Sequence, residues 1–243
     1  MSKFLLLGLT CSACAAGLRH QRRETTVIPA DSFSSLDTYW NYHYPWGTDH
    51  NGAARMDEAH VQVEDGTLVL TAEPVEGEPP AHHGGNDIPI KYLSGAVHSK
   101  DTFTVQAGGG YDFSGEFVAS TERGTWPAFW LNGAESWPPE IDIAEWKGSG
   151  DISFNTFNTS SEVTSLDVPY PNEGEWHSVT CEIRDVNGAD ISVRFIMDGE
   201  EVATQYGGDY VGKPLHLIIN YQMEGSSGTT YSIRNVEVVN YNL

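Results

Sequence analysis

Three observations in the sequence predict an all-β fold, a sandwich or barrel. No stretch has the apolar spacing of a long amphipathic helix. Short segments instead alternate polar and apolar residues, as half-buried strands do. The 25 glycines and 12 prolines punctuate these segments, where turns need them. At 243 residues the chain is long enough to bury a substantial core. No composition break marks a linker and no repeat is present, so one domain is expected over residues 24–243.

Residues 1–23 read as a secretory signal, removed before folding. Lys3 gives the positive start, Phe4-Leu5-Leu6-Leu7-Gly8-Leu9 the apolar centre, and Ala13-Cys14-Ala15-Ala16 the small residues for cleavage. The apolar run is too short to span a bilayer. Arg22-Arg23 offers a dibasic processing site, which would make residues 17–23 a short propeptide. Cys11 and Cys14 leave with this segment. Cys181 then stands alone between Val179 and Ile183, so no internal disulfide is expected and its thiol is read as a small buried hydrophobe.

The strands are expected in order at 61–63 and 67–72, a hairpin around Glu64-Asp65-Gly66, then at 103–106, 115–120 and 128–131. Others follow at 152–157 and 177–183. Residues 191–197 turn at Asp198-Gly199 into 201–203, and strands at 215–221 and 233–241 close the chain. Residues 73–89, with Pro74, Pro79, Pro80 and Pro89, read as a surface loop in which His82 and His83 are solvated.

Net charge narrows the partners. The formal charge is −21, and removing Lys3, Arg19, Arg22 and Arg23 leaves 9 basic residues against 34 acidic ones. Nucleic acid or an anionic membrane surface would require a basic face. The composition suits a secreted, extracellular monomer acting on a neutral polysaccharide. It equally suits acidity that serves solubility alone.

The most informative segment is Glu140-Ile141-Asp142-Ile143-Ala144-Glu145. In a strand, Glu140 and Asp142 share a face while Ile141 and Ile143 point into the core. Strict alternation would put Ala144, not Glu145, on the acidic face. A β-bulge in the Ile143-Ala144 region would return Glu145 to it, and bulges often re-aim side chains at active sites. Four strand steps then separate the Cα atoms of Glu140 and Glu145 by about 13 Å, and inward reach brings the carboxyls to about 6 Å. A retaining glycosidase needs roughly 5–5.5 Å and an inverting one about 6.5–9.5 Å. A solvated acidic strand or a Ca²⁺ site remains open at this stage.

Aromatic residues surround the acids. Trp126-Pro127-Ala128-Phe129-Trp130 lies upstream, Trp137-Pro138-Pro139 immediately before, and Trp146 just after. Sugar rings stack on aromatic faces and hydrogen-bond at their edges, so such residues beside carboxylates suit a carbohydrate cleft. One of Trp126 and Trp130 is expected in the core.

Glu-x-Asp-x-x-Glu preceded by Trp-Pro-Ala-Phe-Trp resembles glycoside hydrolase family 16, the laminarinase-like β-glycanases. Ser94-Gly95-Ala96-Val97, Trp176-His177, Met197-Asp198-Gly199 and Pro214-Leu215-His216-Leu217-Ile218-Ile219-Asn220 match in the same order. The resemblance spans residues 30–243. It implies a β-jelly-roll sandwich of two antiparallel sheets with a concave carbohydrate-binding cleft. It also implies retaining endo-hydrolysis without a cofactor, Glu140 being the nucleophile, Glu145 the acid/base and Asp142 the nucleophile's support. Relatives carry calcium on the convex face, but no motif here indicates it.

Three stretches depart from the family pattern. Asn155-Thr156-Phe157-Asn158 has no histidine where laminarinase-like members carry one. The segment from Trp40 to Asn51 is rich in aromatic residues, and Tyr221-Gln222-Met223-Glu224-Gly225 is unusually polar. Trp46, His50, Asn155, Asn158 and Gln222 are therefore expected, with Trp126, Trp130 and Trp137, to line sugar subsites. His43 is a further candidate sugar hydrogen-bonder. The expected substrate is a β-1,3-linked glucan or galactan. A wall transglycosylase and a non-catalytic binding protein are the alternatives. Asn158-Thr159-Ser160 is also a glycosylation sequon, and Asn158 either carries a glycan or faces substrate.

Overall fold

The computed structural model describes residues 24–225 and 230–242; the signal-like segment 1–23 lies outside them. The described residues form a β-sandwich of a 10-stranded and an 8-stranded sheet, with a separate two-stranded ribbon. The 8-stranded sheet runs Glu162–Pro169, Asp151–Thr159, Glu140–Glu145, Thr125–Gly133, Pro214–Met223, Ala96–Ser99 and Trp40–Tyr42, with Phe103–Thr104 paired to Pro214–Met223. All its pairings are antiparallel. In the other sheet, Gly110–Val118 lies between His177–Asp185 and Thr230–Asn240.

Period-two alternation builds the core. Phe129, Leu131, Ile141, Ile143 and Phe154 are fully buried, as are Phe113, Phe117, Cys181, Ile183 and Phe195 of the opposing sheet. Phe117 meets Phe129 at a centroid distance of 5.1 Å, and Phe154 meets Phe195 at 5.2 Å, so the sheets touch directly. Each such side chain stabilises the fold by about 1.5–3 kcal/mol. Cys181 is free and buried, filling space as expected. The other face of the 8-stranded sheet is thereby left to a cleft.

Both hairpins read from sequence are present. Val61–Glu64 pairs with Thr67–Pro74, and Ile191–Met197 with Glu200–Gly207. Their turns use Asp65 and Gly66, and Asp198 and Gly199, all at positive φ, as a two-residue turn of this hand requires. The reading of 73–89 as a loop is corrected. It contains the ribbon Ala81–His83 paired with Asn86–Ile88, turning at Gly84-Gly85. The prolines flank this ribbon and do not interrupt it. The strand Glu162–Pro169 was not expected: it is a mostly exposed edge strand with little apolar patterning.

Candidate active site

The acidic strand carries the bulge. On one side Phe129 pairs with Ala144 and Trp130 with Asp142, which leaves Ile143 unpaired. On the other side Asp142 pairs with Asn155 and Glu145 with Ser153. The acidic strand therefore carries one extra residue against each neighbour, and Glu140, Asp142 and Glu145 all line one cleft. Glu140 pairs with Asn132 and Glu145 with Ala128. The two glutamates are thus four ladder steps apart, about 13 Å between Cα atoms.

Each acid has its own donors. Glu140 Oε2 accepts hydrogen bonds from Trp137 Nε1 at 2.8 Å and Asn132 Nδ2 at 3.1 Å. Glu145 Oε1 accepts one from Trp126 Nε1 at 2.5 Å. Asn155 Nδ2 lies between the inner acids, 2.9 Å from Asp142 Oδ2 and 3.4 Å from Glu145 Oε2. The Tyr210 hydroxyl fixes the start of the strand. It accepts the Glu140 backbone N–H at 3.1 Å and lies 2.9 Å from the Glu140 carbonyl and 2.5 Å from that of Phe157.

Burial raises all three acids. Burial first, and then the Glu145 charge, push Glu140 up to about 7, against the Trp137 and Asn132 donors. Asp142 is raised well above the carboxylate range by burial, then by Glu145 and Glu140. Burial also raises Glu145, while the Trp126 N–H and the Lys147 ammonium pull it down. Three charges in one low-dielectric site do not form independently. Asp142, the most buried, is the acid whose protonated form burial favours most.

The cleft encloses about 920 Å³ and crosses the sheet. On one flank of the acidic strand, His50 stacks on Trp130 at 5.7 Å and meets Trp46 and His83 at 5.3 Å each. Burial, with His83 and Lys147 nearby, lowers His50 to about 4, so its ring is neutral near neutral pH. Trp46 is 46% exposed and Trp137 47%, so both offer a free ring face to a ligand. Phe157, Val163 and Ser165 line the flank beyond Asn155.

This geometry, an aromatic-lined cleft centred on a bulged acidic strand, was compared with known proteins. Residues 48–213 match the family described as glycosyl hydrolases family 16. The chain belongs to family 16. It is a glycoside hydrolase of the endo-β-glycanase type. A galactan endo-beta-1,3-galactanase of Flammulina velutipes is 51% identical over 222 residues, covering 88% of this chain and 89% of the relative. The endo-1,3-1,4-beta-glycanase ExsH of Rhizobium meliloti is 26% identical over 69% of this chain, which spans 35% of that protein. The endo-1,3-beta-glucanase of Streptomyces sioyaensis superposes with a TM-score of 0.64 at 19% identity, covering 85% of this chain and 91% of its own. The laminarinase catalytic domain of Thermotoga maritima gives 0.63 at 16%, covering 84% and 92%. Both structures share the jelly-roll fold.

Within this family 16 cleft the structure places most of the expected residues and corrects several. Trp126 and Trp130 both border the cleft, and Trp130, packed in the buried cluster, is the one of the pair that is also core, as expected. Residues 126, 128, 130 and 132 share one face and 127, 129 and 131 the other. Trp46, His50, Trp137 and Asn155 also line it. Asn158 does not. It sits at a second bulge, between Phe157 and Thr159, and its Oδ1 accepts the Gly208 N–H at 2.7 Å. Gln222 borders the cleft, but its amide is engaged by the protein. Oε1 accepts the N–H groups of Ala54 and Met223, and Nε2 donates to the Ala54 carbonyl. A Cβ on Gly52 would lie 2.4 Å from Gln222 Cγ, so only glycine lets that loop approach. Gln222 therefore shapes the wall and has no amide group free for a sugar.

His82 and His83, read as solvated, are exposed yet line the cleft from the ribbon. The ribbon's loop is tied down by Arg55, which binds Asp49 at 2.7 Å and Glu78 at 2.6 Å. Asn132, Lys147, Tyr210 and Asn220 went unnoticed in the sequence. Alternation from Trp130 would have found Asn132. Nothing local marks Lys147 or Tyr210. Among the described residues no three His, Cys, Asp or Glu side chains converge as metal ligands.

Proposed function

We propose that this chain is a secreted, retaining endo-β-1,3-galactanase that cleaves internal bonds of an extracellular galactan. The observation that carries the reading is the bulge, which brings Glu140 and Glu145 onto one face with Asp142 between them. Glu140, held by two N–H donors, is the nucleophile: a carboxylate is the form those donors favour. Glu145 protonates the departing glycosidic oxygen as Glu140 attacks the anomeric carbon. Glu145 then takes a proton from water, which displaces the sugar from Glu140 and regenerates both acids. Protonated Asp142 adds no third charge between them. Asn155 orients Asp142 and Glu145 together. Trp46 and Trp137 supply stacking faces toward opposite ends of the cleft.

The galactan assignment is supported by the 51% identity to the Flammulina velutipes enzyme along nearly the whole chain. It is also supported by the departures from the laminarinase pattern at Asn155 and in the Trp46–His50 wall. Secretion rests on the signal-like residues 1–23. The test is product analysis on de-arabinosylated β-1,3-galactan, laminarin and mixed-linkage glucan, with the first anomer followed by proton NMR. Galacto-oligosaccharides appearing first as the β-anomer are expected. Products from laminarin alone would move the substrate to glucan, a first-formed α-anomer would overturn retention, and binding with no product on any substrate would leave a binding protein.

A further inference from the structure

Lys147 is unused by the mechanism above, yet it is the one Lys or Arg among the described residues that line the cleft. It follows Glu145 by two positions. Its Nζ lies 3.5 Å from the centroid of the Trp126 ring. That same indole donates its N–H to Glu145 Oε1. A cation on the face of an indole is attracted to the ring and polarises it, so the ring's N–H becomes a stronger donor. Cation, ring and carboxyl thus form one chain of contacts.

The backbone fixes this arrangement. Gly148 has φ of 69°, and a Cβ there would lie 2.7 Å from Arg123 Cα and 3.0 Å from the Glu122 carbonyl. The chain leaving the acidic strand is pressed against the 122–124 turn, where only glycine fits, and this turn leads into Trp126. Lys147 and Trp126 are therefore held against each other by main chain.

The charges facing Glu145 are otherwise negative. Glu140 lies on its own strand, with Asp142, whose protonated form burial favours, between them. Asp167 comes from the edge strand, anchored by Ser153 at 2.6 Å. Glu224 follows the strand Pro214–Met223 and lies 3.9 Å from Lys147 Nζ. His50, across the cleft, is neutral. We propose that Lys147 is a positioning residue that acts on Glu145 through the face of Trp126 and sets the pH above which the leaving group is no longer protonated. A second consequence is that Glu145 can lose its proton again when water must be activated. The directions agree: Trp126 and Lys147 pull Glu145 down, while burial, Asp167 and Glu224 push it up.

The inference rests on Glu145 being the acid/base. The test is the pH profile of kcat/KM for wild type, Lys147→Met and Lys147→Arg, at low and high salt, with Glu145→Gln alongside. Lys147→Met is expected to shift the alkaline limb upward by about half a pH unit, with Lys147→Arg near wild type. Salt should narrow the gap, since Lys147 is exposed. An unmoved limb in Lys147→Met, or a rise in KM alone, overturns the proposal while leaving the assignment of Glu145 intact. Full activity in Glu145→Gln instead overturns that assignment. A Trp126→Phe background separates the two routes: a Lys147→Met shift that persists there undiminished overturns transmission through the ring.

Discussion

At one end of the acidic strand, Glu140 accepts two N–H groups on a single oxygen, from Trp137 on the preceding loop and Asn132 on the neighbouring strand. At the other end, Glu145 accepts one short bond from an indole that carries a lysine on its face. The same residue type, four ladder steps away on the same sheet face, thus has two different settings. Two fixed donors favour a group that holds negative charge and attacks. One short indole donor backed by an exposed cation, with a longer contact from Asn155, suits a group that gives a proton and takes it back. In the mechanism proposed above, the chemistry is divided by the neighbours each glutamate meets, and the bulge decides which neighbours those are.

The sharpest way to break this comparison is to remove each carboxylate. Glu140→Gln is expected to lower kcat on polysaccharide by at least about 10⁴-fold, because nothing else can form the glycosyl-enzyme. Glu145→Gln is expected to lose about 10²–10⁴-fold on polysaccharide but much less on an aryl glycoside whose leaving group needs no proton. Equal losses on both substrates for the two variants would erase the distinction between the ends.

Removing donors asks the same question more gently. Trp137→Phe deletes one N–H to Glu140, and Trp126→Phe deletes the short N–H bond to Glu145. A hydrogen bond to a charged group contributes about 1.5–3 kcal/mol, so each is expected to lower kcat/KM by about 10–100-fold. Trp126→Phe should also move the alkaline limb of the pH profile upward, and Trp137→Phe should move the acid limb. Circular dichroism checks that both variants fold.

Stability gives a third view. The folded chain binds the Glu140 proton more tightly than the unfolded chain, since burial lifts it from 4.5 to about 7. This contribution to folding is complete below the unfolded value and is lost as pH rises through the folded one. On the order of 3 kcal/mol is at stake across that window. Glu140→Gln removes the dependence. Its Tm relative to wild type is therefore expected to climb by several degrees between about pH 4 and pH 8. A constant difference would mean that Glu140 is not raised. The smallest effect is expected at Asn158, whose side chain serves Gly208 and not the cleft. Asn158→Gln should leave turnover within about two-fold of wild type, read in the same assay.

What the sequence revealed follows the same physics. Glu145 was legible because alternation fails at Ala144, and only an inserted residue restores the acidic face. The hairpins were legible because Asp-Gly pairs demand positive φ. Gln222 misled because its type suits sugar binding, while Ala54 and Met223, one of them distant in sequence, engage its amide. Asn158 misled because a second bulge re-aims it, and no break in apolar pattern announces that bulge. The ribbon at residues 81–88 was obscured by flanking prolines, although Gly84-Gly85 was a usable turn signal. Lys147 and Tyr210 act through contacts that the fold makes, and neither stands in a pattern that a single sequence displays.

The most direct test of the division between the two ends is chemical rescue with azide on an activated aryl glycoside. Alanine at position 145 leaves Glu140 able to form the glycosyl-enzyme, and azide in place of water should release the β-glycosyl azide. Alanine at position 140 leaves a cavity from which azide itself attacks, and the α-glycosyl azide should form. β-Azide from Glu145→Ala and α-azide from Glu140→Ala is the result this account expects. The opposite pairing, or α-azide from both variants, would contradict it.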